Sequence, residues 1–178
     1  MWARVESGSV TKVYARPTAI TIGDVSHPQN IMQMWSASEL EAIGIYEITT
    51  NSTNFKNPEY YNNTGITYTY ASGAVTGTYG TATAKTLADL KTRHKVSINS
   101  QANVLLQKYD WYTLRAADGG TAVPSTVTTY KAAVRTKSNT MCTAVDNAAN
   151  VDALAALYVY NSDDPPVRPL GEFPSEPS

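Results

Sequence analysis

The sequence predicts an α+β chain: a small N-terminal β region with a short capped helix and a Tyr/Thr-rich β-hairpin arm, an antiparallel helical hairpin with a short extra helix, and an extended Pro-rich tail. Three observations carry that prediction. Apolar and polar residues alternate in "WARVE" and "VTKVYA", the period of a half-buried strand. From Thr86 the apolar residues recur at steps of three and four, the period of a helix. From Asn161 prolines break every period. The expected boundaries are residues 1–85 for the β-rich region, 86–160 for the helical hairpin and 161–178 for the tail.

In order along the chain, "SGS" is expected to turn the first two strands, with Gly8 taking a positive φ and Trp2, Val5, Val10 and Val13 as the apolar members. Pro17 ends that pairing, and Ile20 and Ile22 share a face. The stretch "GDVSHPQNIMQMWSASELEAIGIYEI" concentrates a His, a Trp, two Met and several carboxylates. Most of these have a folding role. Ser36 and Glu39 have the spacing of a capping box, Trp35 and Leu40 that of a hydrophobic staple, and Gly44 that of a helix-ending residue. Pro28 biases His27 toward extended backbone. Residues 49–85 are rich in Thr, Tyr, Asn and Gly, with "ITYTYASGAVTGTYGTATA" reading as a hairpin in which Tyr68, Tyr70 and Tyr79 pair across strands. Its small polar side chains leave little to bury, so an exposed arm of loose register is expected.

Thr86 and Asp89 repeat the capping-box spacing ahead of a long helix whose stripe is Leu87, Leu90, His94, Ile98, Ala102, Leu105 and Tyr109. "DWYTLRAADGG" reads as a connection anchored by Trp111 and Leu114. A second helix follows Pro124 with Val127, Tyr130, Val134, Met141, Val145 and Ala148 in phase. A short third helix follows Asn150. The tail holds more than half of the nine prolines, and Leu170 and Phe173 are its apolar anchors. Its two readings are a disordered end and a strap laid on a neighbouring subunit, since an apolar residue between prolines has little entropy left to lose on binding.

Charged residues make up 16% of the chain against a usual quarter, and the net charge is −1, so nothing marks a nucleic-acid or anionic-membrane surface. No apolar run reaches membrane-span length, and the first residues carry none at all. The sequons at Asn51 and Asn62 are therefore expected to stay unmodified. The single cysteine, Cys142, excludes an internal disulfide and reads as a packing residue. His27 and His94 lack partners at metal-ligand spacing, and neither a phosphate-binding glycine loop nor a nucleophile elbow is present. The expectation is a protein without a cofactor, a metal or catalysis. Its interface candidates are Trp2, Trp35, Tyr60, Tyr61, Tyr68, Tyr70, Tyr79, Trp111, Leu170 and Phe173.

Two segments, about half of the chain, resemble known families. In residues 14–48, Pro17, Ile20, Gly23-Asp24, His27-Pro28, Asn30-Ile31, Trp35-Ser36, Glu39-Leu40 and Ile43-Gly44-Ile45 resemble an N-terminal segment of phage tail-associated proteins. In residues 86–141, Leu105-Leu106, Asp110-Trp111, Arg115, Gly120, Val123-Pro124, Tyr130-Lys131 and Val134-Arg135 resemble the C-terminal helical domain of phage tail-fibre assembly-type proteins. The resemblance implies a tailed-bacteriophage protein, of a marine or cyanobacterial virus. It would be made in the host cytoplasm, reside in the virion tail, and contact tail-fibre and baseplate proteins in several copies. The implied roles are a hinge or adaptor joining fibre to baseplate and, alternatively, an assembly chaperone that leaves the particle. A third reading, from the residues alone, is a receptor- or glycan-binding module using "NPEYYNNTGITYTY".

Overall fold

A computed structural model describes residues 1–177. The chain forms two compact units, Met1–Thr83 and Ala84–Ser178.

The first unit is built on a five-stranded sheet of order β2-β1-β5-β8-β7. Strands β1 (Trp2–Glu6) and β2 (Ser9–Tyr14) are joined by Ser7 and Gly8, both at positive φ. The turn thus has two residues rather than three, and its backbone twist matches that of the strands it joins. A register shift opposite Arg4 and Val5 leaves Thr11 of β2 as the extra residue, a bulge in that strand, and the Val5 amide donates to Gly44 O at 2.8 Å. Strands β3 (Ile20–Ile22) and β4 (Val25–His27) form a small separate hairpin. A single helical turn, α1 (Ile31–Met34), leads into α2 (Ala37–Ala42).

The capping box forms at α2: the Ser36 amide and hydroxyl donate to Glu39 Oε2 at 2.8 and 2.7 Å, and the Glu39 amide donates to Ser36 Oγ at 3.4 Å. Those two bonds hold the Glu39 carboxyl below its ordinary pKa. The stabilisation is therefore present above the pH at which an unfolded glutamate ionises, and is lost as pH falls through the depressed value. Ser36→Ala is expected to cost about 1 kcal/mol in denaturant unfolding of this unit. Gly44, at φ 77°, ends the helix, as its spacing predicts. Leu40 is buried with Tyr14, Ile20, Ile31, Met32 and Ile45, with Trp2, Ile22 and Ile43 packed around them. Trp35 meets the His27 ring edge-on at 5.5 Å.

The Tyr/Thr-rich hairpin corrects the expectation of a free arm. Strands β7 (Ile66–Ala71) and β8 (Ala74–Tyr79) turn through Ser72 and Gly73, again both at positive φ, and β8 pairs in parallel with β5 (Ile45–Asn51). β8 is thus an interior strand, and Val75, opposite Ile48, is almost fully buried. The tyrosines supply the burial that the threonines lack. Tyr68 faces Gly77, where a Cβ would come within 2.9 Å of the ring, so glycine is what lets the ring lie across the strand. Ala3, Ile48 and Val75 form a core with Val10 and Val13 of β2 and Tyr68 and Tyr70 of β7 against it. Residues of both edge strands on one core mean that the sheet curls. A two-stranded piece, β6 (Tyr61–Asn62) with β9 (Thr83–Ala84), completes the strands.

The second unit is a hairpin of α3 (Leu87–Gln107) and α5 (Ser125–Asn147). Lys95 pairs with Asp146, Ser138 with Asn99 and Lys131 with Asp110, a register that makes the helices antiparallel. Leu90, His94, Ile98 and Ala102 of the expected stripe are buried. The second expected capping box does not form, for the Thr86 side chain makes no cap bond. Cys142 is half-buried beside Asn99, and burial raises its thiol pKa.

The segment expected as a connection contains a helix, α4 (Asp110–Ala117). Its "ADGG" turn signal is the helix end: Gly119 N donates to Ala116 O and Gly120 N to Arg115 O, the paired bonds of a Schellman motif, with Gly119 at φ 82°. Asn150 caps α6 (Val151–Ala156) by accepting from the Ala153 amide at 2.8 Å.

The tail also departs from both expectations, disorder and a strap on a neighbour. It lies along the chain's own second unit. Leu170 is buried, its amide donates to Leu157 O at 3.0 Å, and its carbonyl accepts from Lys137 Nζ at 3.1 Å. Phe173 packs on the cluster of Ala102, Tyr130 and Val134. The physical reason is that the thin α3–α5 core needs a third apolar layer, and the tail supplies it without a partner.

Candidate functional site

The ten interface candidates separate into two groups. Most are used internally. Trp2 packs on the first core. Tyr60 and Tyr61 are buried, and Lys56 Nζ lies 4.5 Å from the Tyr61 ring centroid. Tyr70 meets Tyr46 edge-on at 4.9 Å with a hydroxyl contact of 3.2 Å, and that bond raises the Tyr46 pKa. Tyr79 sits 4.9 Å from Phe55. Tyr68 covers Gly77, and Leu170 and Phe173 hold the tail. Only Trp35 and Trp111 present a large face to solvent.

Each of these two tryptophans belongs to an exposed apolar surface. On the first unit, His27, Pro28, Asn30, Ile31, Met34 and Trp35 line a cleft of about 370 Å³, with Met34 largely exposed. On the second, Trp111, Leu114 and Arg115 share a face of α4. The Arg115 guanidinium stacks on Trp111 at 4.8 Å and Tyr112 at 5.2 Å. The close approach of Gly120 to the Arg115 stem and the bond from Lys131 Nζ to Asp110 Oδ1, 2.9 Å, hold this helix in place. Trp111 and Leu114 are the anchors that the sequence predicts, but they lie on a helix and not in a loop, because the glycine pair that signals a connection is the helix cap.

A third surface was not anticipated. Beyond α6, Ala156, Val159, Tyr160, Asn161, Val167, Arg168 and Pro169 line a groove of about 580 Å³. The loop between is closed on itself: the Asn161 amide donates to Val167 O at 2.9 Å, and Asn161 Oδ1 accepts from the Val167 amide at 2.8 Å. Arg168 lies 5.3 Å from the Tyr160 ring and pairs with Glu172 at 2.7 Å. Tyr160 donates to Glu172 Oε1 at 2.6 Å, and that bond raises the phenol pKa. The apolar side chains Val159, Tyr160 and Val167 were visible in the sequence, but nothing there shows that a side-chain clip brings them together.

The tail ends in a polar clasp. Lys108 bonds and pairs with Glu176, and Tyr109 donates to the same carboxylate at 3.3 Å. Lys108 holds the Glu176 carboxyl below its ordinary value, and Glu176 raises the Lys108 ammonium. The clasp's contribution is therefore lost at both ends of the pH scale. It fades as pH falls through the depressed Glu176 value and as pH rises through the raised Lys108 value. Glu176→Gln is expected to remove the acid limb of tail docking, read as the pH dependence of amide exchange at Leu170 and Gly171.

Among the described residues no group of three His, Cys, Asp or Glu is placed to hold a metal, and no helix is long and apolar enough to cross a membrane. No family model, curated protein or solved structure matches this chain.

Proposed function

We propose that this chain is a structural protein of a bacteriophage tail, a hinge or adaptor that attaches tail fibres to the baseplate or tail through protein–protein contacts and carries out no catalysis. The carrying observation is that the two units have separate cores, and each displays its own exposed apolar surface. Exposed apolar patches of this kind are where partners bind. A chain with one on each of two units has what a connector needs, a separate hold on each partner. The resemblance of residues 14–48 and 86–141 to phage tail proteins supplies the assembly in which it works, in several copies in the virion, after synthesis in the bacterial cytoplasm.

The alternative, an assembly chaperone absent from the finished particle, draws on the resemblance of the helical unit. The glycan-binding alternative loses its main support, because Tyr60 and Tyr61 are buried and Tyr68, Tyr70 and Tyr79 are packed within the unit. Quantitative mass spectrometry of purified phage particles, scaled to the tail-tube protein, separates the first two. A fixed small stoichiometry supports the structural reading. Absence from particles, with presence on fibre protein in lysates, supports the chaperone.

A further inference from the structure

Beyond that reading, we infer that copies of this chain bind one another head to tail, the α4 face of one entering the groove beside α6 of the next. The two surfaces are both apolar and are opposite in charge. The α4 face is a knob: Trp111 is 50% exposed and Leu114 66%, and they flank a guanidinium that has stacked aromatic neighbours but, among the described residues, no carboxylate partner. Its Nε atom is buried and makes no hydrogen bond among the described residues. The α6 surface is a groove whose apolar members include Val159, 63% exposed, and Val167, 52% exposed. Its rim carries the opposite charge. Asp163 accepts from the Asn161 side chain at 2.6 Å, directly beside the groove, and Asp164 follows it. Neither acid is paired with a cation among the described residues, whereas Glu172 is already neutralised by Arg168.

Both partners are held in shape before they meet. The Schellman end and the Lys131–Asp110 pair fix α4, and the Asn161 clip and the Arg168–Glu172 pair fix the groove. Preorganisation lowers the entropy cost of association. The burial of an apolar knob beside one matched charge pair favours a specific register over a slippery one. Because the knob and the groove are different surfaces, the contact is heterologous. It propagates from copy to copy and closes into a ring or continues as a chain.

The test uses the full chain and two variants at exposed positions, Leu114→Asp in the knob and Val167→Asp in the groove. Sedimentation velocity across micromolar concentrations should show wild-type chains growing beyond dimers. Each variant alone should stay monomeric, with circular-dichroism melts matching wild type. Mixed one to one, the variants should form a dimer and nothing larger, because Leu114→Asp chains keep an intact groove and Val167→Asp chains an intact knob. Asp163→Asn with Asp164→Asn should weaken wild-type association about tenfold. A wild-type chain that stays monomeric would overturn the proposal. So would variants that fail to complement when mixed, or that self-associate unchanged. Should Leu114→Asp melt early, Leu114→Gln in the same mixing experiment gives the same reading.

Discussion

Removing residues 161–178 is expected to destabilise the second unit by about 3–6 kcal/mol, the transfer free energy of taking Leu170 and Phe173 out of water at roughly 1.5–3 kcal/mol each. Leu170 is 4% exposed, and Phe173 rests on Ala102, Tyr130 and Val134, which the truncation would uncover. Tyr130 matters here because its hydroxyl is buried without a partner among the described residues and burial raises its pKa. Water would reach it once the tail left, which offsets a little of the loss. Area bookkeeping is an upper bound, so the lower part of the range is the better expectation. The experiment is denaturant unfolding followed by helical circular dichroism, with Leu170→Ala as an intermediate case at about 2–4 kcal/mol. From the sequence alone the same truncation is expected to spare folding and impair only assembly. An unchanged midpoint would return the tail to that role.

Val75→Asp is expected to unfold the first unit and leave the second folded. Val75 is 1% exposed near the start of β8, a strand that lies between β5 and β7. A carboxylate there would be buried without a partner, a change of the kind that costs on the order of 4–5 kcal/mol or more, enough to exhaust the stability of a small unit. Limited proteolysis followed by mass spectrometry reads the two units separately. Cleavage throughout residues 1–83 with residues 84–178 protected is the expected pattern. If the variant's first unit resists protease as wild type does, the hairpin is a dispensable arm after all.

These two sites are where sequence reasoning fell short, and for the same reason. Local patterns were legible. The Ser36–Glu39 box, the glycine at 44 and the i, i+4 stripe of Leu90, His94, Ile98 and Ala102 each depend on residues within a turn or two of one another. Partner choice was not legible. The parallel pairing of β5 with β8 joins residues more than twenty positions apart, and alternation along each strand is the same whichever strand lies beside it. The proline-rich tail signals an extended segment with apolar anchors, but composition does not say whose groove receives them. Thr86 and Asp89 show the converse. The spacing matches a capping box, yet the backbone ahead of α3 leaves the Thr86 side chain unengaged. At the candidate surfaces Trp35 and Trp111 were found because large aromatics stand out. The Val159–Val167 groove was missed because it exists only once Asn161 closes its loop.

Cross-linking mass spectrometry on purified phage particles tests whether the two units hold two different partners. Lys12 and Lys56 report for the first unit, and Lys91, Lys95 and Lys137 for the second. A two-ended connector gives cross-links from the first set to one virion protein and from the second set to a different one, with links between copies of the second unit besides. Cross-links from both sets to a single partner, or none to any virion protein, would contradict it.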